Sequence, residues 1–168
     1  ARPSHGTTSP EARPAARRFA QPVWNPSLPV AGRTVLLWCE QGLGDGIQFL
    51  RYASVIAAAG GRVAVECHPR LEPLFRLAAQ IDAVVPRGAA LPEFDYHASL
   101  MSMPYLTDTR LGTVPEPGPA YALPEARRAA WRAHLDALGG FTVGLVWGGN
   151  PANRQGLSRS LPVEELSR

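Results

Sequence analysis

One stretch constrains the fold of this chain more than any other: an apolar run that ends in a glycine turn and passes directly into a helical pattern. Val35-Leu36-Leu37-Trp38 leads into Cys39-Glu40-Gln41-Gly42-Leu43-Gly44-Asp45-Gly46, and then into Ile47-Gln48-Phe49-Leu50-Arg51-Tyr52. A short apolar run bounded by glycine reads as a strand buried on both faces. Strand, tight turn and helix, with a carboxylate where the helix opens, is the unit from which open α/β sheets build ligand sites at the carboxyl ends of their strands. Asp45 has two readings at this level. It caps the helix, with Gln48 three residues on completing something like a capping box, or it is a functional carboxylate at the mouth of a cleft. One residue can serve both roles.

The alternation continues along the chain. Strand 34–39 leads to a helix over 45–59, stopped by Gly60-Gly61. Strand 62–67 follows, then Pro69 and a helix through Leu71, Leu74, Phe75, Leu77 and Ala78. A third strand, 83–85, stops at Pro86, and a weaker one covers 94–100. Residues 101–123 are proline-rich with little pattern and are expected to form a long ordered loop or lid. A helix is predicted from about Pro124 to Leu138, with Gly139-Gly140 after it, and a final strand over Phe141–Trp147. Strands alternating with helices through short turns predict an α/β domain: a Rossmann-like parallel sheet with flanking helices. Residues 1–30 read as a flexible Pro/Ala/Arg-rich linker in which Val23-Trp24-Asn25-Pro26 docks on the domain. Residues 31–140 form the Rossmann-like domain, and 141–168 open a second α/β unit. The chain starts at Ala1 rather than Met, so a fragment or a processed product is expected.

Charge and composition exclude several function classes. The first 33 residues carry five arginines against one acid, a net of +4, whereas residues 34–168 carry twelve against thirteen. A body so close to neutral lacks the basic face that a phosphate backbone requires, so no nucleic-acid partner is expected. No apolar run reaches the ~20 residues of a membrane helix, and the start lacks a signal-peptide apolar region, so a cytoplasmic protein with no membrane span is expected. All seventeen basic residues are arginine, which excludes lysine chemistry and fits a GC-rich, bacterial coding sequence. Cys39 and Cys67 each end a predicted strand and read as two buried structural thiols side by side in the sheet. Cys67-His68 has no partner at ligand spacing, and no metal site or resident cofactor is expected.

Dinucleotide binding fits only in part. A G-x-G-x-x-G fingerprint falls on Gly42, Gly44 and position 47, which is Ile, although Glu66 ends the second strand where a ribose-binding acid belongs. A serine-hydrolase elbow, G-x-S-x-G, is absent.

A second pattern is broader. Glu40-Gln41-Gly42-Leu43-Gly44-Asp45 with Ile47-Gln48-Phe49-Leu50-Arg51-Tyr52 resembles the glycosyltransferase-like domain that follows tetratricopeptide repeats in many bacterial proteins, a relative of the ADP-heptose lipopolysaccharide heptosyltransferases. Trp24, Leu91-Pro92-Glu93-Phe94-Asp95, Leu100-Met101-Ser102-Met103-Pro104, Val143-Gly144-Leu145-Val146-Trp147-Gly148-Gly149-Asn150-Pro151 and Arg159-Ser160-Leu161-Pro162 extend the resemblance from about Trp24 to Arg168.

The resemblance implies the N-terminal half of a GT-B fold, with acceptor on the first domain and nucleotide diphosphate sugar, a co-substrate, on the second. It implies an inverting transferase, a glycan or protein as acceptor, and tetratricopeptide repeats upstream. Asp45 then holds the position of the general base, taking the proton of the attacking acceptor hydroxyl. Gln41, Gly44, Gln48 and His97 are candidates for acceptor binding, although a lone His in a strand is more often structural. Gly148, Gly149, Asn150, Arg154, Arg159 and Ser160 are candidates for the donor phosphates, through backbone amides and arginine charge. The chain departs from the family at Asn153, Gly156 and Leu157, where a His and an Asp-Arg pair are expected. That departure keeps a second reading open, a non-catalytic module that binds a glycan or a partner. In either case 1–168 alone are expected to be inactive, because a GT-B site needs both domains.

Overall fold

The computed structural model describes residues 18–116, 121–148, 160–162 and 165. Their contacts divide them between two units, 1–122 and 123–168.

The first unit is an α/β layer built on a four-stranded, all-parallel sheet. Its strands are β1 (Thr34–Trp38), β2 (Arg62–Cys67), β3 (Ala83–Pro86) and β4 (Tyr96–Ser99), in the order β3-β2-β1-β4. The register sets Leu36 against Ala64 on one side and against His97 on the other. β1 is central and its three middle residues are fully buried, as expected for a parallel strand covered on both faces. Val35 and Leu37 of the central strand, with Cys39 just after it, share one apolar cluster with Val63, Val65 and Cys67, closed by Leu50, Ile56 and Phe75 from the helical layer.

The helix expected over 45–59 is α1 (Leu43–Phe49), a 3₁₀ turn at Leu50–Tyr52, and α2 (Ala53–Ala58). Leu50, Tyr52 and Ala53 are all buried, and the tighter turn brings positions 50 and 52 nearer to one face than an α-helix does. Gly60, at φ 79°, ends α2 in a conformation that suits glycine. A 3₁₀ turn at Pro69–Leu71 and α3 (Glu72–Phe75) carry the chain from β2 to β3.

The segment read as a bare loop beyond 100 is partly helical. A 3₁₀ turn at Leu100–Ser102 runs into α4 (Met103–Leu106), and Leu111–Thr113 forms another. Pro104 lies in the first turn of α4, where its missing N–H costs nothing, so a proline that looked like a breaker is a starter. Ahead of the sheet, Trp24 is 3 % exposed and donates its backbone N–H to the His97 carbonyl at 2.8 Å. Val23 bridges His97 in parallel, so this segment docks along β4 as its sequence suggested. The linker reading of residues 1–17 lies outside the described residues.

The second unit contains α5 (Glu125–Leu138), stopped by Gly139 and Gly140 at positive φ. The strand expected at 141–147 does not form among the described residues: the run has no regular secondary structure there, and Phe141 and Val146 are almost fully exposed. A strand persists through its ladder partners. Among the described residues the single backbone bond reaching this run is Leu161 N–H to the Trp147 carbonyl, 3.0 Å.

Candidate functional site

The chain runs from β1 to β2 to β3 on one side of the sheet and returns to place β4 on the other. The point where strand order reverses, at the carboxyl ends of β1 and β4, is where open parallel sheets leave a crevice for ligands. The loop Cys39–Gly42 leaves β1 there, and the turn Leu100–Ser102 leaves β4.

That loop is held at three points by side chains from three other elements. The Arg87 guanidinium, from beyond β3, donates to the Cys39 carbonyl. The Ser99 hydroxyl, ending β4, donates to Glu40 Oε1. The Gly42 N–H donates to Asp45 Oδ2 at 2.9 Å. A loop gripped at its start, middle and end is pre-organised, which lowers the entropy cost of binding.

α1 begins at Leu43, so Gly42 is the N-cap and Asp45 the third helical residue, not the cap itself. The Asp45 carboxylate reaches back to the cap N–H, which is half of a capping box, and Gln48 takes no part in it. Asp45 is half-buried, and its second oxygen has no partner among the described residues. Gln41, Gly44 and Gln48 are exposed on the same turn and helix, and a Cβ at Gly44 would meet nothing within 4 Å. Four of the residues picked from the sequence therefore share one short segment at the crevice.

The others do not join them. His97 pairs with Leu36, two residues short of the carboxyl end of β4, and is 7 % exposed with its ring 4.7 Å from that of Phe19. Burial holds its imidazole below the ordinary range. The structure makes it a packed strand residue rather than a cleft residue. Gly148 is exposed and Ser160 half-buried, whereas Gly149, Asn150, Arg154 and Arg159 lie outside the described residues, as do the departures at 153, 156 and 157.

The geometry speaks against a dinucleotide at this turn. The cap N–H that a pyrophosphate would use is already taken, and a carboxylate stands beside it. Glu66, read as a possible ribose ligand, is 1 % exposed within β2.

Two residues escaped the sequence reading. Gly46 is the buried residue of α1, and a Cβ there would lie 2.9 Å from Leu71 Cδ1 and 3.3 Å from Cys39 Sγ. It performs the close helix–strand packing assigned to the third glycine of a dinucleotide fingerprint, one position earlier than that fingerprint puts it. A glycine inside a helix, where it is disfavoured, was the available signal. Arg87 gave no local signal.

Both cysteines are free and buried, Cys39 against Gly46 of α1. Burial pushes the Cys39 thiol up to about 12 and that of Cys67 up to about 11, with the neighbouring thiol adding to the rise at Cys39. Such thiols are inert packing groups. The opposite edge of the sheet is committed to structure. Asp95 accepts from Arg33 at 2.9 Å and from the Thr34 N–H at 2.8 Å, and Asp82 accepts the Val63 N–H at 2.7 Å.

Among the described residues no three His, Cys, Asp or Glu side chains gather to hold a metal ion, and no helix is long and apolar enough to cross a membrane. Comparison with known families, curated proteins and solved structures finds no match to this chain.

Proposed function

We propose that this chain is the acceptor-side domain of an inverting glycosyltransferase that uses a nucleotide diphosphate sugar, with Asp45 as general base. The observation that carries the reading is the state of that carboxylate: at the switch-point crevice, one oxygen fixed on the Gly42 N–H and the other without a partner among the described residues. In the reaction the acceptor hydroxyl oxygen attacks the anomeric carbon and the bond to the nucleotide diphosphate breaks. The hydroxyl proton passes to Asp45, and the pair of electrons leaves with the diphosphate. Gln41 and Gln48 offer amide donors and acceptors for sugar hydroxyls, and open space at Gly44 lets a ring approach the backbone. The donor half, a glycan or protein acceptor, upstream tetratricopeptide repeats and a bacterial cytoplasm belong to the same reading.

The test is transfer by the full-length protein. Calorimetric titration with a panel of nucleotide diphosphate sugars, with NAD as control, is expected to show saturable binding of a sugar nucleotide. Asp45→Asn keeps an oxygen for the cap and is expected to lower transfer by about 10²–10⁴-fold, the usual worth of a general base. Undiminished transfer by that variant refutes the role, and binding of NAD alone refutes the family.

The second reading, a non-catalytic module that binds a glycan or a partner, draws on the departures at Asn153, Gly156 and Leu157. It also draws on the fact that Asp45 has a structural role sufficient by itself. Glycan binding without transfer selects it.

A further inference from the structure

Arg87 does more than its one hydrogen bond requires. Its backbone N–H is fixed to the Cys67 carbonyl at 2.7 Å, at the end of β2. Its side chain then crosses that strand end to the Cys39 carbonyl, at the root of the Asp45 loop. The guanidinium is a planar fork of five donors, and a neutral carbonyl orients it without cancelling its charge.

Among the described residues Arg33, Arg76, Arg110 and Arg128 each pair with a carboxylate, whereas Arg87, like Arg51, Arg62 and Arg70, does not. The acids of the neighbouring elements are engaged or enclosed. Glu40 is bonded to Ser99, one oxygen of Asp45 to Gly42, Glu72 to Arg76 at 2.6 Å, and Glu66 is buried. The edge is also polarised by strand order. Arg87 follows β3 and exposed His68 and Arg70 follow β2, whereas Glu40 and Asp45 follow β1. His68 Nδ1 accepts the Arg70 N–H at 3.1 Å, which leaves the neutral ring's proton on Nε2 as a further donor.

We propose that Arg87 anchors an anion subsite, so that the molecule bound at the Asp45 turn carries a phosphate or carboxylate group as well as hydroxyls. This rests on the reading of the Asp45 turn as a hydroxyl-binding site. The hydroxylated part lies over the end of β1 and the anionic group over the ends of β2 and β3. The guanidinium takes the anion through the nitrogens that the Cys39 carbonyl leaves open.

The test titrates the protein with glucose, glucose 6-phosphate, glucuronate and inorganic phosphate, followed by calorimetry and by the Arg Nε–H resonances. Glucose 6-phosphate and glucuronate are expected to bind about 10–100-fold more tightly than glucose, the range of a charge-assisted bond. Whichever of the two anions gains more identifies the anionic group. Arg87→Gln is expected to abolish the advantage, Arg87→Lys to keep part of it, and inorganic phosphate to shift the Arg87 resonance in the unaltered protein. Equal binding of glucose and its phosphate, an advantage that survives Arg87→Gln, or a phosphate-silent Arg87 resonance overturns the subsite. Phosphate capture at Arg87 without any glucose binding keeps the subsite and defeats the sugar reading. Glucose binding indifferent to charge does the reverse, and no binding by any probe defeats both.

Discussion

Two glycines in one helix give a controlled test of how α1 sits on the sheet. Gly44 and Gly46 both lie in α1, but a Cβ at Gly44 meets nothing within 4 Å. At Gly46 it lies 2.9 Å from Leu71 Cδ1, 3.3 Å from Cys39 Sγ and 3.6 Å from Phe75 Cζ. Leu71 is 5 % exposed and Phe75 fully buried, so neither has an open space to retreat into. Replacing either glycine by alanine gains up to about 1 kcal/mol of helix propensity. Only at Gly46 is this opposed by overpacking, which costs about 1–3 kcal/mol. The propensity gain is common to both, so the difference between the two variants isolates the packing. Gly44→Ala is expected to be neutral to stabilising by up to ~1 kcal/mol, and Gly46→Ala to lie about 1–3 kcal/mol below it. With urea slopes of about 1–3 kcal/mol/M, the two midpoints should separate by roughly 1 M. Circular dichroism at 222 nm is a suitable probe. Leu71→Ala should cost less in the Gly46→Ala background than in the Gly44→Ala background, a favourable coupling from the relieved clash. Equal midpoints for the two alanine variants would mean that α1 does not rest on Cys39 and Leu71, and the description of the site loop would fall with it.

Two further predictions concern pH. The thiol pKa values of Cys39 and Cys67 are raised on folding, so their contribution is complete below the ordinary value of 9.0 and is lost as pH climbs towards 11–12. For Cys39 the slope is about 1.4 kcal/mol per pH unit, and replacing it by alanine should flatten the decline of the urea midpoint between pH 9 and 11. Both thiols should ignore a soluble disulfide reagent until urea unfolds the chain, and rapid native-state reaction would contradict their burial. Asp95 moves the other way: the Thr34 N–H, and then Arg33, hold its carboxyl below the usual range. Its contribution is present above the ordinary 3.8 and is lost as pH falls through the lower folded value, so Asp95→Asn should blunt acid unfolding below pH 4. An unchanged acid limb would count against the Arg33–Asp95–Thr34 clasp.

What the sequence disclosed was mostly local. β1 and β2 were legible because a parallel strand buried on both faces is written as a continuous apolar run, and the expected bounds differ from the observed ones by at most a residue. The Asp45 turn was legible for the same reason, since strand, turn and carboxylate lie within a dozen residues. The groups that hold this turn were not. Arg87 and Ser99 reach it from 48 and 59 residues away, and no periodicity encodes such a meeting. The role of Asp45 in the helix shifted because glycine can serve as N-cap with no side chain to advertise it. His97 carried two readings in the sequence, because its position near a strand end does not say whether the ring points into a cleft or beneath Phe19. The run at 141–147 has strand composition without a partner strand among the described residues, and composition alone cannot supply the ladder.

The order of the strands also sets the order in which the molecule is assembled. The parallel ladders of β1 with β2 and of β2 with β3 close shorter chain segments than that of β1 with β4, and longer closures are slower. Closure length therefore predicts that the three-stranded half forms first and that β4, with the Val23–Trp24 segment along it, docks afterwards. Because Ser99 travels on β4, the Asp45 loop gains its middle tether only at that step. If the Asp45 loop binds a ligand as proposed, that ligand is expected to protect most strongly the amides of β4 against hydrogen exchange.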